Sequence, residues 1–506
     1  MDSRAEKLWN RGMVHFRQGS MEAAQASFEA FLVREPGSGP GWFRLSLVHA
    51  RRGRNALALA AVERSLAVEP GRAEALSHLA RSLLQAGAPE RARAAAMQAL
   101  ALPRDNAVVL DSLAGVMAWL DEPALALELF DQAIALDPEQ ASLYFNRALA
   151  HRQFGQVEAA ERDLEACLAL DPQHPRAHWT LATLRGQDLA GNHVARLRQR
   201  LAQTAPAQQE VLALALFKEL DDLGDTAAAA QALSSALAAR ARSRVVDRSA
   251  IVAHAAAVDA LAATLDARWL HGEDDAEGTP AVFIVGMPRS GVALLGRLLS
   301  RHPRLHWLGP QKAWSAHLHG ALGAPAGSLS PADIARAQAL DFARLGASFL
   351  ADVVPAGPKP PMACSSTPLD YLQVGFIARA LPQARFLHVV RDPVDTCASI
   401  LLQPGADPTV PAVDPAALAA RHAQYARLMQ HWHQVLPGRV MDVSYESLVE
   451  KPAMMLRVAC SFLGIRYASS LRTDLQLHAR SIGRGHRYLP QLSGLGDALA
   501  RCDRAA

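Results

Sequence analysis

The chain has 506 residues, half of them hydrophobic, with 52 Lys and Arg set against 49 Asp and Glu for a net charge of +3. That length calls for more than one domain. The near balance of charge gives no basic footprint, which argues against a nucleic-acid partner.

The N-terminus, Met1 to Gly12, is charged and lacks an apolar core, so no signal peptide is expected. Beyond it, Pro36, Pro70, Pro103, Pro138 and Pro172 recur at steps of 34, 33, 35 and 34 residues. Each should end one helix and open the next unit. Gly19, Gly53, Gly87 and Gly155 mark a turn inside each unit, and Asp121 replaces the glycine in the fourth. Ala24, Ala58, Ala92, Ala126 and Ala160 fall where two helices cross, with Phe28 and Phe130 at the bulky position four residues on. Trp42, Leu76, Leu110 and Tyr144 open the first helices. The pattern resembles the tetratricopeptide repeat, a helix–turn–helix unit of about 34 residues that stacks into an α-solenoid. That resemblance implies a concave groove for a peptide or another protein. His49, His78, Arg147 and His151, on or near first helices, either line it or form a solvated polar face.

Leu212 to Arg242 reads as a divergent helix pair with Gly224 in its turn, expected to cap the array and dock it on the C-terminal domain. His271 to Pro280 is charged and carries Gly and Pro, so it should be an exposed boundary. The expected division is therefore a repeat array over 1–185, a divergent helical cap and linker over 186–275, and a further domain over 276–506. Within that last domain, Pro355 to Pro361 and Leu402 to Pro415 should be loops. No apolar run approaches the ~18 residues of a membrane span. The five cysteines (Cys167, Cys364, Cys397, Cys460 and Cys502) are scattered, which suggests a reducing, cytoplasmic setting. None stands at metal-ligand spacing with another Cys or with His, so no metal is expected.

Ala281 to Val285 is a buried strand, and Gly286-Met287-Pro288-Arg289-Ser290-Gly291 is a tight loop before an apolar-periodic helix. Strand, glycine-bounded loop and helix start make an anion cradle, because loop and helix-start amides converge on one spot. Arg289 adds a planar cation suited to phosphate or sulfate oxygens. The loop lacks the Gly-Lys-Ser/Thr ending of nucleoside triphosphatases, which disfavours a kinase. A second apolar run, Phe386 to Val390, ends in Arg391, with Ser399 eight residues on. An Arg at the end of a buried strand must face a cleft or be paired, and Asp392 and Asp395 are the alternatives for pairing. A third stretch, Val440 to Ile465, reads as strand, Tyr445-Glu446-Ser447-Leu448, proline, helix and Phe-Leu-Gly.

These segments resemble the bacterial sulfotransferases related to protein-tyrosine sulfotransferases, over some 220 residues to the C-terminus. The resemblance implies a P-loop-like α/β domain with a mostly parallel sheet, and sulfuryl transfer from 3′-phosphoadenosine 5′-phosphosulfate to a hydroxyl. It implies that Arg289, Ser290, Gly291, Val292 and Ala293 hold the 5′-phosphosulfate and that Arg391 and Ser399 hold the 3′-phosphate. Tyr445 would pack near the adenosine, and Ser481 and Arg484 would belong to a loop closing over the nucleotide. Several positions depart from the family. Val292-Ala293 replace two hydroxyl residues, Ser366 replaces a Lys, and Pro310-Gln311 replace the glutamate base after Gly309. His306 and Lys312 are the substitutes at hand for the base, with His306 the candidate carried forward. Eroded catalytic positions beside an intact 3′-phosphate pair leave a second possibility, a catalytically silent nucleotide-binding or protein-interaction scaffold.

Overall fold

The computed structural model describes residues 3–243, 247–270, 280–308, 313–324, 327–354, 361–405, 414–471, 481–492 and 494–505. It divides into two compact units, Met1–Leu184 and Arg185–Ala506. Most of the expected boundary at His271 to Pro280 lies outside the described residues, as do Gly309 to Lys312, Arg480 and parts of both expected loops.

The first unit is a run of antiparallel helix pairs. Ser3–Arg17 packs on Met21–Arg34, Gly39–Arg51 on Asn55–Val68, Ala73–Gln85 on Pro89–Leu100, Ala107–Trp119 on Pro123–Leu136, and Ala141–Gln153 on Val157–Leu170; Pro175–Leu184 comes next. The crossing-point alanines are 0–1% exposed, because a larger side chain would hold the helices apart. Phe28 and Phe130, at 0% and 2%, fill the space beside them. The turn glycines Gly19, Gly53, Gly87 and Gly155 all have φ between 70° and 77°. Asp121 occupies the same left-handed turn at φ 58°, a conformation that disfavours residues with a Cβ. The prolines between pairs serve a further purpose. Trp42 Nε1 donates to the Pro36 carbonyl at 2.8 Å and Tyr144 Oη to the Pro138 carbonyl at 3.1 Å. His178 Nε2 meets the Pro172 carbonyl at 3.1 Å in the same register. Of the four polar residues considered for a groove, His49 and His78 are buried, and Arg147 is tied to Asp131 and Asp163 at 2.6 Å each.

In the second unit the divergent pair is Glu210–Asp222 and Thr226–Ser243, with Gly224 at φ 79° in the turn. Arg240 is 1% exposed; it pairs with Glu210 at 3.1 Å and donates to the carbonyls of Leu401 and Gln403 at 2.7 Å each. A buried guanidinium committed in this way fixes the pair on the sheet domain.

The sheet has five described strands: β1 Ala281–Val285, β2 Leu305–Trp307, β3 Met362–Ser365, β4 Arg385–Val390 and β5 Val440–Ser444. Their order is β2-β3-β1-β4-β5 and every pairing is parallel. β1 is buried throughout, as a central parallel strand covered on both faces must be. On one face Val282, Ile284, Leu387, Val389 and Val443 pack under the helix Val292–Leu299. On the other, Phe283 meets Trp314, Phe349 and Phe386. The chain leaves β1 for one side of the sheet and later returns to the other through β4. That reversal opens a crevice at the C-terminal ends of β1 and β4, where open α/β sheets take ligands.

Candidate anion-binding site

At that crevice β1 runs into the loop Gly286–Gly291. Gly286 is required by close approach: a Cβ there would lie 2.6 Å from Ser290 Oγ and 2.9 Å from the Val389 carbonyl. Gly291 is required twice over, by φ 114° and by Tyr445, whose Cδ2 would be 2.4 Å from an added Cβ. Arg289 takes φ 74° without the excuse of being glycine. Such a residue stores roughly 1–3 kcal/mol of strain, and that strain concentrates where side chains are aimed for function.

The amides of Leu294 and Leu295 both bond the Gly291 carbonyl, and the Ser290 amide bonds Met287. The amides of Gly291, Val292 and Ala293 find no backbone acceptor among the described residues. Ser290 Oγ is buried, also without a partner. A group of donors left open at a helix N-terminus is the chemistry of an anion site. The Val292 side chain turns into the core at 2% exposure and that of Ala293 faces out, so this helix start offers amides but no hydroxyl.

Arg289, Ser399, Arg391, Tyr445 and Ser481 come together here. Arg289 Nε donates to Ser399 Oγ at 3.2 Å. Arg391, just beyond β4, donates to the Arg289 carbonyl at 3.0 Å and the Ser481 carbonyl at 2.8 Å. Its guanidinium lies 4.5 Å from the Tyr445 ring centroid, and Tyr445 Oη meets Ser481 Oγ at 2.7 Å. Arg484 pairs with Asp221 at 2.6 Å. Arg289 keeps solvent access in a crowded recess. Desolvation pushes its pKa down, and the like charges of Arg391 and Arg484 push it further. It remains a cation at neutral pH, yet no described carboxylate pairs with it; Asp395 and Asp221 lie beside Arg391 and Arg484 instead.

His306 does not join this group. It lies on β2, beyond β3 from β1, so roughly 10 Å away across the sheet. Leu305 and Trp307 face the helix Val292–Leu299, which turns His306 to the other face. Desolvation lowers its pKa and favours the neutral imidazole. Ser366 is 1% exposed, pressed against Gly296 and hydrogen-bonded by Trp307 Nε1 at 3.1 Å.

Sequence reasoning misses Asp395 as an organising residue. It offers Asp395 only as an ion-pair partner for Arg391, and that contact is 4.0 Å long. Instead the carboxylate accepts the Gly483 amide at 2.6 Å and the Gly485 amide at 2.7 Å. Asp392 adds His486 at 3.0 Å. Asp221 receives Arg484, Arg487 and the Tyr488 hydroxyl. Carboxylates distant in sequence thus hold the segment Ser481–Tyr488 over the crevice, and no short motif announces such pairings.

Residues 280–469 match the sulfotransferase family, while residues 10–67, 43–107 and 117–185 match tetratricopeptide repeats. Residues 280–469 form a sulfotransferase-family domain. A Caenorhabditis briggsae protein provisionally named a protein-tyrosine sulfotransferase is 23% identical over 191 residues, 38% of this chain and 67% of that one. The Drosophila melanogaster protein-tyrosine sulfotransferase is 24% identical over 214 residues, 37% of this chain and 38% of its own length. A solved tetratricopeptide repeat protein from Parabacteroides merdae aligns at 17% identity over 46% of this chain and 93% of its own, with a TM-score of 0.35. Most residues of the candidate anion site fall within the sulfotransferase match, and the repeats precede it. Among the described residues no helix is long and apolar enough to cross a membrane.

Proposed function

We propose that this chain transfers a sulfuryl group from 3′-phosphoadenosine 5′-phosphosulfate to a hydroxyl on a peptide or protein engaged by the repeats. The observation that supports this most is the cation-rich recess. Arg289 has no anionic partner among the described residues there, beside amides and a buried Ser290 hydroxyl that also lack partners. These groups fit a phosphosulfate. In this reading they hold it, Arg391 and Ser399 hold the 3′-phosphate, and Tyr445, Ser481 and Arg484 border the nucleotide. Transfer breaks the bond from sulfur to the phosphate's bridging oxygen and forms one to the acceptor oxygen. Arg289 then faces the charge that develops on the leaving oxygen, where a fixed donor lowers the barrier most. The acceptor's proton goes to a base. His306, the base candidate, lies roughly 10 Å across the sheet on its other face, too far to take that proton directly.

A second reading, a silent nucleotide-binding scaffold, draws support from Ser366. It is buried, committed to Trp307 and uncharged, where the family resemblance implies a Lys.

Calorimetry with 3′-phosphoadenosine 5′-phosphate tests the nucleotide site. It should bind well above adenosine 5′-phosphate, and Arg391→Ala should weaken it roughly ten- to hundredfold, the loss of one charge-assisted bond. Equal affinity for the two nucleotides, or no binding, refutes the assignment. Binding without transfer of radiolabelled sulfate to any cellular protein selects the scaffold reading.

A further inference from the structure

On the sheet face away from the helix Val292–Leu299, β4 and β5 set His388 directly beside Asp442. His433 joins them from the last turn of the helix Pro415–Val435. His388 Nδ1 lies 2.7 Å from Asp442 Oδ1, and His433 Nε2 lies 2.8 Å from the same oxygen. One donor atom from each of the three falls within 4.8 Å of the others. No Lys or Arg pairs with Asp442 among the described residues. The other nitrogen of His388, Nε2, contacts the buried hydroxyl of Tyr425. That hydroxyl in turn takes a backbone hydrogen bond from Met287 in the anion loop.

We propose that His388, His433 and Asp442 bind a divalent cation of the zinc type, with solvent completing the coordination. Two imidazoles and one carboxylate suit borderline cations, whereas Mg²⁺ and Ca²⁺ take oxygen sets. His388 is fixed in the sheet with its side chain 8% exposed, while Asp442 and His433 are 56% and 36% exposed and open to entering metal. Tyr425 supplies the outer support that metal-bound histidines need. With Nδ1 on the metal, Nε2 carries the hydrogen and donates to the Tyr425 oxygen. Bonds of about 2.0–2.1 Å in a tetrahedron place donor atoms ~3.3 Å apart. Asp442 and His433 must therefore open by roughly half an ångström, which surface side chains do readily. The site stands apart from the phosphosulfate reading and does not depend on it. Sequence spacing hides it, because the three ligands come from three separate elements.

The test uses the full chain, stripped with a chelator and titrated with Zn²⁺ against a chromophoric competitor. Co²⁺ serves as the spectroscopic probe of a tetrahedral site. One equivalent should bind, with visible cobalt bands. His433→Ala and Asp442→Asn, both at the surface and checked by circular dichroism, should each remove that equivalent. Tyr425→Phe should weaken it about 10–100-fold, the usual effect of losing an outer-shell partner. His317→Ala, which disrupts a surface pair with Asp352 at 2.9 Å, should change nothing. Absence of a one-equivalent site overturns the proposal. So does zinc binding that survives both His433→Ala and Asp442→Asn, and the trio is then a hydrogen-bond network only.

Discussion

Replacing Asp395 by Ala should release the segment Ser481–Tyr488 from the crevice. Asp395 is 2% exposed and its carboxylate satisfies two amides, those of Gly483 and Gly485. Gly485 sits so close to the helix below that an added Cβ would be 2.8 Å from the Val394 carbonyl, so water cannot easily replace the lost acceptor. Each stranded donor costs ~1–3 kcal/mol. Arg391 also loses its carboxylate neighbour at 4.0 Å and is left facing other cations. Together these effects amount to about 3–5 kcal/mol, the range for removing one partner of a buried charged pair. Hydrogen exchange reads this directly. Protection of the Gly485 amide should fall at least ~100-fold, since each 1.36 kcal/mol is tenfold. Asp395→Asn should recover only part, because it keeps one acceptor oxygen and turns an NH₂ toward the second amide. Unchanged protection at Gly485 in Asp395→Ala would show that the segment is held elsewhere and refute the reasoning.

Three further outcomes rest on particular residues. Asp121→Gly should stabilise the repeat unit by up to about 1 kcal/mol, because glycine accepts the left-handed turn without the Cβ penalty; a lower denaturation midpoint would count against it. The fragment ending at Leu184 should fold alone with a helical circular dichroism spectrum, since each repeat packs on its neighbours, and a disordered fragment would sink this. His254 is 3% exposed, both ring nitrogens lack a partner among the described residues, and its pKa is pushed down to about 3, by desolvation first and then by Arg421. The unfolded chain therefore takes up a proton that the folded chain refuses. Stability should fall as pH drops from about 6.5 toward 3, and His254→Leu should flatten that part of the curve in pH-dependent unfolding.

What the sequence made legible divides along a physical line. Features set by local geometry could be read directly. The repeat prolines and turn glycines report backbone needs that recur every unit, and even Asp121 keeps the turn its neighbours make. The loop Gly286–Gly291 reads as a cradle because strand, glycines and helix start are contiguous. Contacts between distant segments could not be read. Asp395 holds amides some ninety residues ahead, and Asp221 holds Arg484 and Arg487 across still more chain. A carboxylate in a helix gives no sign of which backbone will reach it.

Arg391 shows where the two kinds of information meet. Its place at the end of β4 was legible, and so was its need for a partner. Its partners were not, because two are carbonyls, which any residue can offer. Those carbonyls belong to Arg289 and Ser481, so Arg391 joins the loop after β1 to the C-terminal segment while its charge stays in the recess. A lysine at this position has no planar fork to span both carbonyls while stacking on Tyr445. The charge of Arg391 and its geometry are therefore separate requirements, and sequence alone displays only the charge.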